Sequence, residues 1–483
     1  MAQKHLDRLS GLDVSFLTNE TSSSHMHVGA ILIFEGPPPG YRDLVAHIDS
    51  RLHLVPRFRQ KLAFPPLPTS RPYWIDDPTF NLDYHVRHSA LPSPGTEEQL
   101  RRTAARIFSQ QLDRTKPLWE LWLVQGLTRG RFALISKTHH ALVDGVSGVD
   151  IATVLFDVTP VPQRLAPEEK WLPQPEPSSA GLIARDAAGA VKAPTGIARR
   201  VERAARHPRV TVKQVATGVQ ALSEVGWNFA NPSPDVPLNQ PIGSHRRFEW
   251  VRTDLTHFKT VKNALGGTVN DAVLTVVAGG LRKWLQGRGI RTEGLELTAQ
   301  VPVSIRPDEQ HGALGNQLAA IRGPLPVYVE DPVQRLEVVR AGMDGIKDSK
   351  QALGAEVIAR FNDFAPPTLL TQAARLNFST RLFNLVVTNV PGPQLPLYML
   401  GRELQDVFPV GFLPVNHALF VAIMSYNGQV NFGLLADYDS MPDLDVIASG
   451  IEASLGELCE AAEEELASRE SAVQEPAEET TAG

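Results

Sequence analysis

The chain has 483 residues, more than one hydrophobic core usually supports, so two domains are expected. A hydrophobic share of 42% and a charged share of 21% are ordinary for a globular protein, and a net charge of -6 argues against nucleic acid as a general partner, because binding phosphates takes a basic surface. The single cysteine, Cys459, leaves no disulfide and no cysteine-rich metal site and fits a reducing cytoplasm.

Met1 to Arg8 carries no apolar stretch of the kind a signal peptide needs, and Ala2 stands where myristoylation requires glycine. Apolar runs such as Ala272 to Ala278 and Leu419 to Met424 fall far short of the roughly 20 residues that cross a bilayer. Any membrane contact is therefore expected to be peripheral.

Taken in order, Met26 to Phe34 is apolar on both faces and reads as an interior strand. Helical spacing follows over Tyr41 to Leu54 and again over Thr96 to Leu112. Two strands, Trp119 to Gln125 and Arg131 to Thr138, lead directly into His139-His140, and Asp144 to Phe156 returns to helical spacing. Between Val158 and Pro177 proline and charge dominate, the signature of a linker. It runs into Leu182 to Val225, helical in pattern but broken near Pro194 and Pro208, where Arg185 to Lys213 holds eight Lys or Arg against two acidic residues. Asn231 to Pro241 is loop.

Helices are then expected over Thr256 to Leu265 and Val269 to Gln286, with strands over Leu295 to Ser304 and Leu385 to Thr388. His417 to Ser425 and Val430 to Ala436 form a strand pair around Tyr426-Asn427-Gly428-Gln429, a hairpin signal. A last helix is expected from Leu444 to Ala467, and the acidic tail from Ser468 is too poor in apolar residues to fold. The resulting division is 1–157 and 236–467 as two α/β halves, 158–235 as a linker with a basic helical segment, and 468–483 as a disordered tail.

The chemistry concentrates at His139-His140-Ala141-Leu142-Val143-Asp144-Gly145. Successive strand residues point to opposite faces, so one histidine can face a cleft while the other faces inward. Neutral imidazole is suited to take a proton from a hydroxyl near pH 7. Adjacent histidines are also often plain packed or surface side chains, and the residues alone leave both readings open. Zinc is poorly supported: His25 and His27 share a strand face, but no third ligand or His-Glu-x-x-His helix accompanies them. Gly145-Val146-Ser147-Gly148 is not a nucleophile elbow, Cys459 has no basic activator, and no phosphate loop or dinucleotide fingerprint occurs. What remains is a lone general base, with no covalent intermediate required.

His139-His140-x-x-x-Asp144-Gly145 resembles the signature of the CoA-dependent acyltransferase superfamily, which includes chloramphenicol acetyltransferases and condensation domains. Within it the chain is similar to bacterial wax ester synthases/diacylglycerol acyltransferases. Supporting blocks occur in that family's order: Leu9 to Asp13, His25 to Gly29, Pro117-Leu118-Trp119-Glu120, Asn270-Asp271, Pro302 to Arg306, Gly315-Asn316 and Asn389 to Pro393. An Asp-Phe-Gly-Trp-Gly block common in other branches is absent.

The resemblance implies two chloramphenicol-acetyltransferase-like α/β halves, each with a mixed sheet, facing each other across a central tunnel. It implies O-acyl transfer from acyl-CoA, a substrate and not a cofactor, to diacylglycerol or a long-chain alcohol. His140 would be general base and His139 its support. Asp144, followed by Gly145, would orient the loop, with Arg306 as its ion-pair partner. Asn270 would shape the site or donate to the oxyanion, or else merely cap its helix; Asp271 and Ser304 belong to the same surroundings. Asn389 to Pro393 would be a rigid structural turn, and Trp119 packing. Such an enzyme is expected in the cytoplasm, peripherally held at a membrane or lipid-droplet surface. The rivals are a same-fold acyltransferase with another alcohol or amine acceptor, and a non-catalytic lipid-surface protein.

Overall fold

In the computed structural model, residues 6–66, 71–143, 155–162, 171–185, 232–304, 318–348 and 379–474 are described. Their first half runs β1 (Asp7–Arg8), α1 (Gly11–Asn19), β2 (His27–Phe34), α2 (Tyr41–Asp49), β3 (Gln60–Ala63), β4 (Tyr73–Asp76), α3 (Leu82–His85), β5 (Val86–Ala90), α4 (Glu97–Phe108), β6 (Trp119–Gln125), β7 (Phe132–His139) and α5 (His140–Val143). The second half runs β8 (Arg246–Asp254), α6 (Leu255–Leu265), α7 (Val269–Gly287), β9 (Leu297–Ser304), β10 (Leu318–Leu325), α8 (Pro332–Asp348), β11 (Leu385–Pro391), β12 (Tyr398–Met399), β13 (Arg402–Val410), β14 (Leu419–Tyr426), β15 (Gln429–Asp437) and α9 (Leu444–Gln474).

Two six-stranded mixed sheets carry these elements. The first has the order β12-β13-β2-β7-β6-β5 and the second β10-β9-β11-β14-β15-β8. A three-stranded sheet, β1-β4-β3, stands apart. The chain order hides one feature: β12 and β13, encoded in the second half, complete the first sheet, with β13 antiparallel to β2. After β13 the chain crosses to β14 in the second sheet. The sheets meet along this crossing, where Trp250 of β8 stacks on Phe408 of β13 at 4.3 Å. Arg252 of β8 grips Asp406 of β13 through Nε at 2.6 Å and Nη2 at 3.0 Å.

Elements with strong local signals stand where the pattern put them, while several ends differ for tertiary reasons. α2 stops at Asp49, short of Leu54, and Val55 before Pro56 is held out of the helical region; Arg51 turns inward to pair with Asp157 at 2.6 Å. α4 stops at Phe108, not Leu112, because the fully buried Lys137 donates to the carbonyls of Ile107 and Gln110. Burial lowers that ammonium to about 8. The hairpin forms as expected, Asn427 and Gly428 both adopting the positive φ (44° and 84°) that such a two-residue turn requires.

The last helix continues to Gln474, so the disordered tail expected from Ser468 is corrected for its first residues. Arg469 bonds Glu465 and donates to the Ala264 carbonyl at 2.7 Å, which ties the polar end of α9 to α6. The expected linker also has anchored points: Trp171 lies against Arg59 and Phe80, and the Gln174 N–H donates to Asp76. Leu182 is buried with Ala63, Tyr73 and Ile75, whereas Ile183 is exposed. The rest of the basic stretch to Lys213, and the helix expected from Asp144, lie outside the described residues apart from Arg185, Leu155 and Phe156.

Candidate active site

β7 delivers the histidine pair to its end, and the chain turns helical at His140 itself, earlier than the loop expected from the sequence. His139 is 1% exposed and faces inward. Its Nδ1 accepts the Ala141 N–H at 3.1 Å, which puts the ring proton on Nε2. That nitrogen points toward Glu20 Oε2 at 3.6 Å. His27 lies directly opposite His139 in the β2–β7 register, and its Nε2 is 3.3 Å from Glu20 Oε1. Gly29, two residues on, has its α-carbon so near the Ser136 carbonyl that a Cβ would sit 1.9 Å from that oxygen.

Glu20 is therefore a hub. It sits at the C-cap of α1, a helix opened by Ser10 and Asp13 in a reciprocal capping box. The Arg114 Nε donates to its Oε2 at 2.8 Å, and Arg114 Nη2 donates to the Leu17 carbonyl at 2.8 Å. Burial pushes the Glu20 carboxyl up, but the adjoining His139 and His27 imidazoles together outweigh burial and hold it well below the usual carboxylate range. Burial lowers His139, and it lowers His27 to about 3. The arrangement is one carboxylate balanced by Arg114 and flanked by two neutral imidazoles.

His140 is placed differently. Its backbone N–H donates to the Met26 carbonyl at 2.8 Å, and its half-buried ring stacks on Phe16 at 4.0 Å and meets Phe412 edge-on at 5.6 Å. Phe16 comes from α1, one turn before Glu20. Phe412 comes from the segment between β13 and β14 and also touches Phe420 of β14 at 5.6 Å. The Ser24 hydroxyl donates to the Leu413 carbonyl at 2.7 Å and fixes this crossing against the loop before β2. His140 thus stands where the two sheets meet.

The second-half candidates distribute unevenly. Thr268, not Asn270, caps α7, with Asp271 as its capping-box partner, accepting from Thr268 N–H and Oγ at 2.8 Å each. This disposes of the capping alternative for Asn270, whose Oδ1 accepts from Asn389 Nδ2 at 3.4 Å. Asn389 to Pro391 continue β11, paired parallel with β14; the turn expected there begins only at Gly392, whose N–H donates to the Ser425 hydroxyl. Ser304 ends β9 opposite Leu318. Asp144, Gly145 and Arg306 lie outside the described residues. Trp119 is packing: fully buried, it stacks on His85 at 4.6 Å and donates to the Phe58 carbonyl.

Among the described residues no group of three His, Cys, Asp or Glu is arranged for a metal. His25 instead sets Nε2 on the Ser22 carbonyl at 3.0 Å. The sequence reading missed Glu20, Arg114, Phe16 and Phe412. A signal existed for Phe16 and Glu20: with Asp13 and Leu17 they recur at helical spacing behind the capping box. None existed for Phe412.

Family models match most of the chain: the wax ester synthase/diacylglycerol acyltransferase catalytic domain over residues 9–273 and the WS/DGAT C-terminal domain over 314–459. A putative diacylglycerol O-acyltransferase of Mycobacterium tuberculosis is 33% identical over 474 residues, covering 95% of this chain and 91% of the relative. The solved wax ester synthase/diacylglycerol acyltransferase from Marinobacter aquaeolei VT8 is 29% identical, with a TM-score of 0.65 covering 94% of this chain and all (100%) of that one. The starter condensation domain of rhizomide synthetase, at 11% identity and a TM-score of 0.56, covers 95% of this chain and 94% of its own and shares the fold.

Proposed function

Because this chain belongs to the wax ester synthase/diacylglycerol acyltransferase family, we propose that it carries a long-chain acyl group from acyl-CoA to diacylglycerol or a long-chain alcohol, with His140 as general base. Acyl transfer itself follows from the family; the acceptor and the base are the proposal. The observation that carries the base is the division of labour within the pair. His139 is held by the Ala141 N–H with Glu20 beside its other nitrogen, while the His140 ring lies half-buried between Phe16 and Phe412 at the meeting of the sheets.

In this mechanism the acceptor oxygen attacks the thioester carbon as His140 takes the hydroxyl proton. A tetrahedral oxyanion forms, the carbon–sulfur bond breaks, and the proton passes from His140 to the departing CoA thiolate. General-base catalysis contributes typically about 10²–10⁴-fold, and alignment of two bound substrates in a tunnel between the halves adds up to about 7–11 kcal/mol. Asn270, which Asn389 bonds, would shape the oxyanion surroundings, and an Asp144–Arg306 ion pair would orient the loop that follows His140.

Both substrates are lipids, and no single described helix is long and apolar enough to cross a membrane. The proposal therefore includes peripheral docking on a membrane or droplet surface through the basic stretch from Arg185 to Lys213. The test is CoA release from palmitoyl-CoA with hexadecanol, diacylglycerol or no acceptor. Acceptor-dependent release by the native chain, lost in His140→Ala with acyl-CoA binding retained, supports the reading. Release that is independent of acceptor, or turnover above a few per cent in His140→Ala, refutes it.

A further inference from the structure

The second sheet has two unlike faces. Behind it, the space a Cβ on Gly323 would take is bounded by Val301, by Met343 of α8 and by Leu274 of α7, so helices cover that side. The opposite face turns toward the first half, as the contacts of Trp250 with Phe408 and Phe420 with Phe412 show. Strand register sets one row across this inner face: Arg322 opposite Gln300, Gln300 beside Val386, and Val386 beside Phe420. Phe420 touches Phe412, which touches His140. The row therefore leads from the histidine across the sheet to an arginine.

Arg322 and Gln300 are both half-buried, and neither side chain has a hydrogen-bond or ion-pair partner among the described residues. The Gln300 Oε1 is itself shielded from solvent, and burial alone lowers the Arg322 guanidinium. Three other arginines near the seam of the sheets are occupied: Arg252 with Asp406, Arg101 with Glu249, Arg246 with the carbonyls of Gly243 and His245. A half-buried guanidinium with no counter-charge among the described residues has its planar fork open to phosphate oxygens.

We propose that Arg322, with the Gln300 amide beside it, is an anion subsite that holds a phosphate group of the CoA portion of the acyl donor. This rests on acyl-CoA being the donor. Three strand spacings of about 4.8 Å place Arg322 roughly 14 Å along the sheet from Phe420, and the long pantetheine arm separates the CoA phosphates from the thioester in the same sense. Arg322 is a binding residue, remote from the reacting atoms, so it acts on donor affinity.

The experiment compares palmitoyl-CoA with palmitoyl-pantetheine, which lacks the phosphates, in native enzyme and in Arg322→Gln and Arg322→Lys. The readout is the ratio of the two KM values. A lost charge-assisted hydrogen bond to phosphate is expected to worsen KM for palmitoyl-CoA about 10–100-fold relative to palmitoyl-pantetheine in Arg322→Gln, with Arg322→Lys in between. Dephospho-CoA esters then distinguish the pyrophosphate, where the loss persists, from the 3′-phosphate, where it vanishes. A native-like ratio in Arg322→Gln, with native enzyme turning over palmitoyl-CoA, overturns the subsite and leaves the proposed function standing. Native enzyme that turns over no acyl-CoA, yet binds CoA more tightly than Arg322→Gln in equilibrium dialysis, overturns the function and keeps the subsite. Should Arg322→Gln not fold, the salt dependence of native KM decides: a dependence equal for both donors overturns the subsite.

Discussion

Replacing Glu20 by Gln removes one negative charge from a cluster that has little else to balance Arg114. The Glu20 side chain is 3% exposed and that of Arg114 is 37% exposed. Breaking a fully buried pair costs roughly 3–5 kcal/mol; partial exposure of Arg114 and its remaining bond to the Leu17 carbonyl put the expected cost at or below about 3 kcal/mol. The effect on catalysis is indirect. His139 Nε2 loses its anionic neighbour while its Nδ1 stays tied to Ala141, so the imidazole is held at one edge only and can tilt, shifting the adjacent His140 with it. Misplacement by 1 Å costs about 10²-fold. Glu20→Gln should therefore lower kcat by about 10–100-fold, leave KM for palmitoyl-CoA nearly unchanged, and lower Tm by a few degrees. Initial rates with palmitoyl-CoA and a saturating acceptor give the first two quantities and thermal unfolding the third. The double variant Glu20→Gln with Arg114→Met removes both charges and should recover Tm without recovering kcat. A native kcat in Glu20→Gln, or recovery of kcat together with Tm in the double variant, refutes a positioning role.

Acidification should destabilise the fold before it titrates any surface carboxylate. Burial lowers His27 to about 3 and His85 and His417 to about 4, so between pH 6.5 and 5 the unfolded chain takes up protons that the folded chain refuses. Each such histidine then costs about 2 kcal/mol by pH 5; a Tm that is flat from pH 7 to 5 would contradict this, and His417→Gln should flatten the slope. Asn270→Ala is expected to lower kcat by about 10²-fold if its amide serves the oxyanion, and Asn389→Ala by less, since it only holds Asn270; equal Tm loss with native kcat in both would make the pair structural. Replacing Arg199, Arg200, Arg203 and Arg206 by Gln should weaken sedimentation with anionic vesicles, each charge contributing about 1 kcal/mol at low salt. Binding indifferent to salt and to these changes would place the lipid contact elsewhere.

Sequence alone determined what is local. The period of apolar residues placed β2, β6, β7, β14, β15 and most helices, because side-chain direction along a strand or helix follows from backbone geometry. Asn427-Gly428 announced its turn, and His139-His140 at a strand end announced two imidazoles in unlike surroundings. What tertiary structure decided joins residues far apart in the chain. β13 enters the first sheet beside β2, a pairing that no local pattern encodes, and it brings Phe412 onto His140 from 272 residues away by number. Lys137 ends α4 from a neighbouring strand, and Glu20 fixes His139 from the cap of a helix near the start of the chain. In each case the deciding energy is the satisfaction of a buried polar group or the filling of a shared core, and such groups find their partners only when the chain has closed on itself.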